Sequence, residues 1–98
     1  MKDEVIVGRK YDTGKLRYSL IPVLALAEIV KVLCFGANKY GDNNWIHVEN
    51  ASQRYLDALM RHVESYRSGE MLDPESGLHH LAHAGCCILF LLHLNITK

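Results

Sequence analysis

The stretch Ala84-Gly85-Cys86-Cys87-Ile88-Leu89-Phe90-Leu91-Leu92 is almost wholly apolar, and it decides the fold of this chain. Directly before it stands the polar segment Gly69-Glu70-Met71-Leu72-Asp73-Pro74-Glu75-Ser76-Gly77-Leu78-His79-His80-Leu81-Ala82-His83. Together they predict a helix from about Ser76 to Asn95, which must be buried because it is apolar on nearly all sides. Polar side chains are then mounted at the start of a buried helix.

Two further helices are predicted upstream. Pro22 suits the first position of a helix, and the mostly apolar segment 23–37 continues it. Asn38 to Trp45 then form a polar loop. A second helix is predicted from a cap at Asn50 or Ser52 to about residue 68.

The second helix is predicted to be amphipathic. At 100° per residue its apolar face carries Tyr55, Leu56, Leu59, Val63 and Tyr66. His62 falls on the flank of that face, as a hydrogen-bonded core histidine or as a ligand at the edge of a site. Asp57 and Arg61 are four residues apart, so the simplest interpretation is a solvated salt bridge worth about 0.3–0.5 kcal/mol.

The size of the chain suits one domain over residues 1–98, with an N-terminal arm over 1–20. Asp12-Thr13-Gly14 predicts a turn between two short extended pieces, giving a hairpin or an extended arm. Three helices and an arm make a thin core. We therefore expect an all-α, three-helix domain that completes a helical bundle by forming a homo-oligomer, a dimer or higher.

Composition excludes several classes of partner. Eleven basic and eleven acidic residues give a net charge of zero, so no global field draws the protein to nucleic acid or to a membrane. The chain shows no signal peptide and no membrane span, and we expect a cytoplasmic location. Cys86 and Cys87 are adjacent and diverge on a helix, which indicates reduced thiols rather than a disulfide.

Three imidazoles crowd the start of the third helix. His79, His80 and His83 lie within about 100° of arc, so they can share a divalent metal. The neighbouring carboxylates Glu70, Asp73 and Glu75 could complete its shell. The alternative is that these histidines are core residues that hydrogen-bond backbone or carboxylate groups. Three together beside three acids favour a site.

Basic residues recur in every polar segment of this neutral chain. They are Lys10, Lys15 and Arg17 on the arm, Lys39 in the loop, and Arg54 and Arg61 on the second helix. Such side chains bind phosphates, arginine by paired contacts and lysine as a point charge. Tyr40 and Trp45 would then stack on a base, unless Trp45 plugs the core instead.

Four segments follow one another along the chain: Lys10-Tyr11-Asp12-Thr13-Gly14-Lys15-Leu16-Arg17-Tyr18-Ser19-Leu20-Ile21-Pro22, Phe35-Gly36-Ala37-Asn38-Lys39-Tyr40-Gly41-Asp42-Asn43-Asn44-Trp45, Arg54-Tyr55-Leu56-Asp57-Ala58-Leu59-Met60-Arg61-His62 and Gly69 to Ala84. Together they resemble the phage-associated dATP/dGTP diphosphohydrolase N-terminal-domain family. The resemblance covers nearly the whole chain, and four motifs in this order are specific for the family.

The resemblance implies a relation to MazG-like all-α nucleoside triphosphate pyrophosphohydrolases. Those proteins are helical, oligomeric and dependent on magnesium or manganese, and they split a triphosphate into a monophosphate and pyrophosphate. Members of this family type act on purine deoxynucleotides, in the host cytoplasm if phage-encoded. The wider group holds its metal with Glu-x-x-Glu and Glu-x-x-Asp pairs, whereas this chain has His80-Leu81-Ala82-His83 at the second pair. Imidazoles in place of hard carboxylates weaken magnesium binding and favour Mn²⁺, Zn²⁺ or another transition metal, or no metal.

The leading hypothesis is therefore a metal-dependent hydrolase of purine (deoxy)nucleoside triphosphates. Its predicted metal ligands are His79, His80, His83, Asp73 and Glu70, and its predicted catalytic residues are Glu70, Glu75 and His62. Its predicted substrate-binding residues are Lys10, Lys15, Arg17, Lys39, Tyr40, Asn44, Trp45, Arg54 and Arg61. A second hypothesis is a non-catalytic oligomer that sequesters a nucleotide or a nucleotide-derived signal. A third makes the histidines core residues of a helical assembly that binds another protein.

Overall fold

The computed structural model describes residues 6–98. Three helices form the body: α1 (Val23–Tyr40), α2 (Ala51–Arg67) and α3 (His80–Ile96). Short 3-10 turns at Tyr18–Leu20 and Asn44–His47 precede α1 and α2. No strand occurs within residues 6–98, so the predicted all-α fold is confirmed.

The first helix starts where the sequence predicts and ends one turn later. Pro22 precedes its first residue, as the fixed φ of proline favours. The helix runs to Tyr40 rather than to residue 37, because Gly36 stays helical and Gly41 is the first residue to leave the helical conformation, at φ 98°. Its N–H donates to the carbonyl of Ala37 at 2.8 Å. Lys39 and Tyr40 therefore lie on the last turn of α1, not in a loop.

The second helix packs along α3 with a face rotated from the predicted one. Leu56 and Tyr66 remain 43% and 44% exposed, whereas Ala58 and His62 lie half-buried on the inner side. The rotation turns His62 from the flank towards α3. The predicted salt bridge of Asp57 is absent from the described residues, since its carboxylate accepts a hydrogen bond from Gln53 Nε2 at 3.2 Å.

The core is small and is centred on the face of α3 that carries the small side chains Ala82 and Cys86. Val32 of α1 packs with Ala82 and Cys86 of α3, and the half-buried Ile29, Leu33, Leu78 and Phe90 surround them. The small side chains Ala82 and Cys86 on α3 let α1 approach closely. No side chain of the described residues is fully buried.

The polar segment before α3 is a folded turn, and the helix starts at His80 instead of Ser76. Asp73 Oδ2 accepts from the Ser76 N–H at 2.9 Å, and the Gly77 N–H donates to the Asp73 carbonyl at 2.7 Å. Gly77 takes φ 72°, and Leu72 pairs with His79 in one antiparallel bridge. Because the Asp73 side chain hydrogen-bonds the backbone of the turn, residues 76–79 stay outside the helix and α3 begins at His80.

The described part of the arm extends from the body. Its turn is closed by the Lys15 N–H on the Asp12 carbonyl at 2.9 Å, but no strand pairing follows, so the hairpin alternative is wrong for residues 6–20. Its apolar side chains stay exposed, with Leu16 at 80%. Within residues 6–98, no helix combines the length and the apolar content that crossing a membrane requires.

Candidate functional site

A cleft of about 540 Å³ opens between α1, the turn at Asn44–His47 and the two packed helices. Its lining combines the titratable side chains Lys39, His62, Asp73, Glu75 and His83 with the aromatic side chains Phe35, Tyr40, Trp45, Tyr55 and Phe90. His83 and Phe90 are seven residues apart on α3, so the cleft follows about 10 Å of that helix. It can accommodate a ligand that is charged in one part and flat in another.

Two histidines from different helices meet beside the cleft. The Nδ1 atoms of His62 and His80 lie 2.8 Å apart, and His80 Nε2 lies 2.6 Å from Glu70 Oε1. A carboxylate only accepts hydrogen bonds, so His80 Nε2 carries the proton and donates to Glu70. In neutral His80 the Nδ1 lone pair is then left facing His62. His80 is only 3% exposed, which fixes this arrangement.

The folded turn brings Asp73 and Ser76 to the same place. Ser76 Oγ lies 2.7 Å from His83 Nε2 and accepts from the Leu78 N–H at 3.1 Å. Ser76 Oγ either donates to His83 Nε2 or accepts from it, according to the tautomer of His83. Asp73 Oδ2 lies 4.0 Å from the same nitrogen.

Burial tunes these groups towards the forms that bind metals. Burial, followed by the nearby imidazoles, lowers the pKa of His62, and burial also lowers the pKa of His83 although Asp73 opposes it. Burial alone would raise the pKa of Asp73, but the hydrogen bonds from Ser76 and the neighbouring His83 hold it below its ordinary value. Neutral imidazoles next to an ionised carboxylate are the ligand forms that a divalent cation requires.

The structure gathers some of the predicted metal ligands and separates others. His62, Asp73 and His80 each present one donor atom, and these atoms lie within 4.8 Å of one another. His62, predicted as a catalytic residue, joins this group. Glu70 stands behind His80, on its far nitrogen.

The other two predicted imidazole ligands have different partners. His79 accepts from the Leu81 N–H through Nδ1 at 3.0 Å, so it caps α3, and its ring lies beside Tyr66. His83 stacks on His62 with centroids 4.5 Å apart and planes 10° apart, but its Nε2 is engaged by Ser76. Both roles as ligands stay predictions, and the geometry does not favour them.

Two predicted substrate groups lie at the mouth of the cleft. Lys39 Nζ forms an ion pair with Glu75 and lies 5.1 Å from the centroid of the Tyr40 ring. The hydrogen bond to Glu75 raises the pKa of Lys39. Tyr40 is 62% exposed, so one face of its ring is available to a flat ligand.

Trp45 has a structural role in this arrangement. Its ring stacks on Phe90 with centroids 4.2 Å apart and planes 10° apart. The His93 ring contacts it edge-on, with centroids 5.3 Å apart. The indole therefore packs the turn at Asn44–His47 against α3 and lines one side of the cleft. Of the two interpretations of Trp45, packing in the core fits this contact better.

A second cleft of about 470 Å³ shares a wall with the first. Tyr40, Asn44, Tyr55 and Ala58 line both. On its far side it holds Arg54, Asp57 and Arg61. Neither arginine has a salt-bridge partner within residues 6–98, and the two are seven residues apart on one face of α2. The arm residues Lys10, Lys15 and Arg17 are exposed and line neither cleft.

Sequence reasoning missed some members of the site. Tyr55 precedes Ala58 and His62 by three and seven residues, a spacing that could have placed it on their face. Asp73 and Ser76 have the spacing of a side-chain-capped turn, which could have revealed the serine. Phe35 and Phe90 carried no local signal.

Comparison with known proteins assigns the family. The family model described as dATP/dGTP diphosphohydrolase, N-terminal, matches residues 7–98. The chain is also similar to a protein of Salmonella phage PMBT28 named dATP/dGTP diphosphohydrolase, with 39% identity over 89 residues, which are 91% of this chain and 30% of that protein. The chain thus spans less than a third of that relative's length, and no solved structure matches it. Because the family model covers nearly the whole chain, the protein belongs to the dATP/dGTP diphosphohydrolase N-terminal family.

Proposed function

We propose that this domain hydrolyses purine (deoxy)nucleoside triphosphates to the monophosphate and pyrophosphate, with a divalent metal (Mn²⁺, Zn²⁺ or Mg²⁺) as cofactor. The observation that carries the proposal is the cleft in which a histidine and carboxylate cluster faces aromatic side chains. A nucleotide has the matching two parts, a charged chain and a flat base. The name of the phage relative supports the same substrate class.

Recognition in this proposal uses both clefts. The base lies on the open face of Tyr40, and the Asn44 side chain, which lines both clefts, supplies amide hydrogen bonds. Arg54 and Arg61 attract phosphate oxygens across the shared wall, since guanidinium groups bind phosphate in pairs of hydrogen bonds. Asp57 in the same cleft disfavours additional negative charge and so limits how far the phosphates enter.

The histidine and carboxylate end of the cleft fits a divalent cation. Its donors are neutral imidazoles and an ionised carboxylate, and a bound metal would polarise a phosphoryl oxygen and acidify a water molecule. Of the two predicted catalytic carboxylates, Glu75 lines the cleft and would orient the attacking water once its ion pair with Lys39 opens, whereas Glu70 is engaged by His80. The water oxygen bonds to phosphorus, its proton passes to Glu75, and the phosphorus–oxygen bond to the leaving pyrophosphate breaks.

The test is a turnover assay with each deoxynucleoside triphosphate and Mg²⁺, Mn²⁺ or Zn²⁺, followed by detection of pyrophosphate. We expect purine substrates to react and Glu75→Gln to lower kcat by about 10²–10⁴-fold, the usual contribution of a general base. Glu64→Gln is the matched control, because Glu64 pairs with Arg67 on the exposed side of α2 and lines neither cleft. Absence of pyrophosphate with all three metals would refute the hydrolase.

The alternative function is a non-catalytic nucleotide-binding oligomer. It is favoured by the composition of the cluster, in which imidazoles stand where the wider group has carboxylates. One of them, His83, is already hydrogen-bonded to Ser76. In that case dATP or dGTP raises the melting temperature without being consumed, because a ligand that binds only the folded state stabilises it.

A further inference from the structure

Resting on the proposed function, we propose that His62, Asp73 and His80 bind a transition-metal ion of the Zn²⁺, Co²⁺ or Mn²⁺ class, with Glu70 as a positioning residue rather than a ligand. The three donor atoms lie within 4.8 Å of one another and come from α2, the folded turn and α3. Two imidazoles and one carboxylate with open positions are a donor set of catalytic zinc sites.

The hydrogen bond from Glu70 selects the donor atom of His80. Because His80 Nε2 gives its proton to Glu70 at 2.6 Å, its Nδ1 presents a lone pair towards His62. A carboxylate on the far nitrogen of a ligating histidine fixes the ring and makes it a better donor. His80 is buried at 3% exposure, so the ring keeps this orientation.

The facing nitrogen atoms are close to the spacing that one ion requires. His62 Nδ1 and His80 Nδ1 lie 2.8 Å apart, and without metal His62 donates to the His80 lone pair. Two nitrogen atoms that each bind zinc at about 2.0–2.1 Å in a tetrahedron lie about 3.3 Å apart. A relative movement of about half an ångström and a shift of the His62 proton to Nε2 would exchange the hydrogen bond for a metal.

The third donor is held in place by the folded turn. Asp73 Oδ2 accepts from the Ser76 N–H, and the carboxylate side chain is 18% exposed. His83 supports the set without joining it, because its ring stacks on His62 while its Nε2 is hydrogen-bonded to Ser76 Oγ.

The donor set discriminates against magnesium. Mg²⁺ requires near-octahedral oxygen coordination and loses water reluctantly, whereas imidazole suits Zn²⁺ and other transition metals. With two nitrogen atoms among three protein donors, the site offers Mg²⁺ one oxygen ligand only.

Metal binding is measured on the full chain after chelator treatment and dialysis, by calorimetry with Zn²⁺ and Mg²⁺ and by the visible absorption of added Co²⁺. We expect Zn²⁺ and Co²⁺ to bind in the presence of millimolar Mg²⁺. His62→Ala and Asp73→Asn should lose the binding, and Glu70→Gln should weaken it about 10–100-fold, as for other carboxylates behind a ligating histidine. His47→Ala is the control, since His47 is exposed on the 3-10 turn and should leave binding unchanged.

Retention of Zn²⁺ affinity in His62→Ala or Asp73→Asn, competition by Mg²⁺ at equal concentration, or absence of bound metal would each overturn the proposal. His62 is only half-buried, so its variant tests the site even where removal of buried His80 prevents folding, and circular dichroism verifies helicity. Metal binding without turnover would leave this site standing and refute the proposed function. Turnover with Mg²⁺ in a protein that binds neither Zn²⁺ nor Co²⁺ would leave the proposed function standing and refute this site.

Discussion

At the scale of single residues, the neighbours of each imidazole decide its chemistry. His79 caps a helix, His80 bridges Glu70 and His62, and His83 is hydrogen-bonded to Ser76, although the three stand within one turn and a half. Each hydrogen bond occupies one ring nitrogen and thereby fixes what the other can do. A histidine motif alone therefore does not identify the ligands.

The surroundings of the three cysteines likewise decide the reactivity of each thiol. Cys86 and Cys87 are buried, and burial raises the pKa of their thiols to about 12 and about 11, whereas Cys34 is exposed on α1. The thiolate is the reactive form, so buried thiols with raised pKa are slow nucleophiles. We expect the folded protein at neutral pH to react with an aromatic disulfide reagent at one thiol per chain, and at three in denaturant. Cys34→Ser should abolish the fast phase, and a rapid reaction that persists in this variant would contradict the buried packing.

At the scale of elements, the small inner face of α3 sets the distance between the helices. Ala82 and Cys86 pack on Val32, and Gly85 faces Ile29 of α1. A Cβ on Gly85 would lie 2.7 Å from Ile29 Cδ1 and 3.0 Å from Cγ1. Glycine is needed there for close approach, not for a special backbone angle.

Two glycine substitutions test this contact. Gly36→Ala lies inside α1 with no atom within 4 Å of the new Cβ, so it should raise the free energy of unfolding by about 0.5–1 kcal/mol. Gly85→Ala gains the same propensity but forces Ile29 to move, at a cost of about 1–3 kcal/mol for an overpacked contact. We expect a net loss of about 1 kcal/mol for Gly85→Ala in urea unfolding. Equal stabilisation by both substitutions would show that α1 and α3 are not in close contact.

At the scale of the whole molecule, the chain exposes more surface than a compact monomer. Its accessible area is 8241 Å², whereas a folded monomer of 11.1 kDa exposes roughly 5,700 Å². Part of the excess is the arm, and part is the outer face of α1, where Val23 and Leu24 are 77% and 84% exposed. The difference is roughly 2,500 Å², and its share on α1 is apolar surface that an interface can bury. We propose that a second copy covers this face, which would complete the predicted bundle.

Sedimentation measures this association. We expect a dimer or a higher homo-oligomer at micromolar concentration, and Leu24→Glu should shift it towards monomer, because a charge cannot be buried there without a partner. Met60→Glu is the control: Met60 is 54% exposed on α2, outside the proposed face. A wild-type protein that sediments as a monomer at tens of micromolar would remove the proposal.

The sequence by itself determined the helices, because their signals are local. Pro22 marked the start of α1, and the apolar run from Ala84 to Leu92 marked a helix. The prediction that this helix is buried on all sides holds only for its inner face, because Ile88, Leu89 and Leu92 are 51%, 45% and 55% exposed. The same run placed polar residues at its beginning, which located the site to within one segment. Helix ends were less certain: α1 continued past Gly36, and the capped turn at Asp73 delayed α3.

Only the tertiary structure decided which side chains meet. That His62 faces His80, that Glu70 lies behind it, and that Trp45 stacks on Phe90 all depend on how α2 and the loops dock on α3. Periodicity gives the face of a helix to within about one residue, or 100° of rotation about the helix axis. A hydrogen bond, in contrast, requires donor and acceptor to be placed within a fraction of an ångström. Local patterns therefore predicted the helices and the residue types of the site, and packing between segments distant in the chain selected its members.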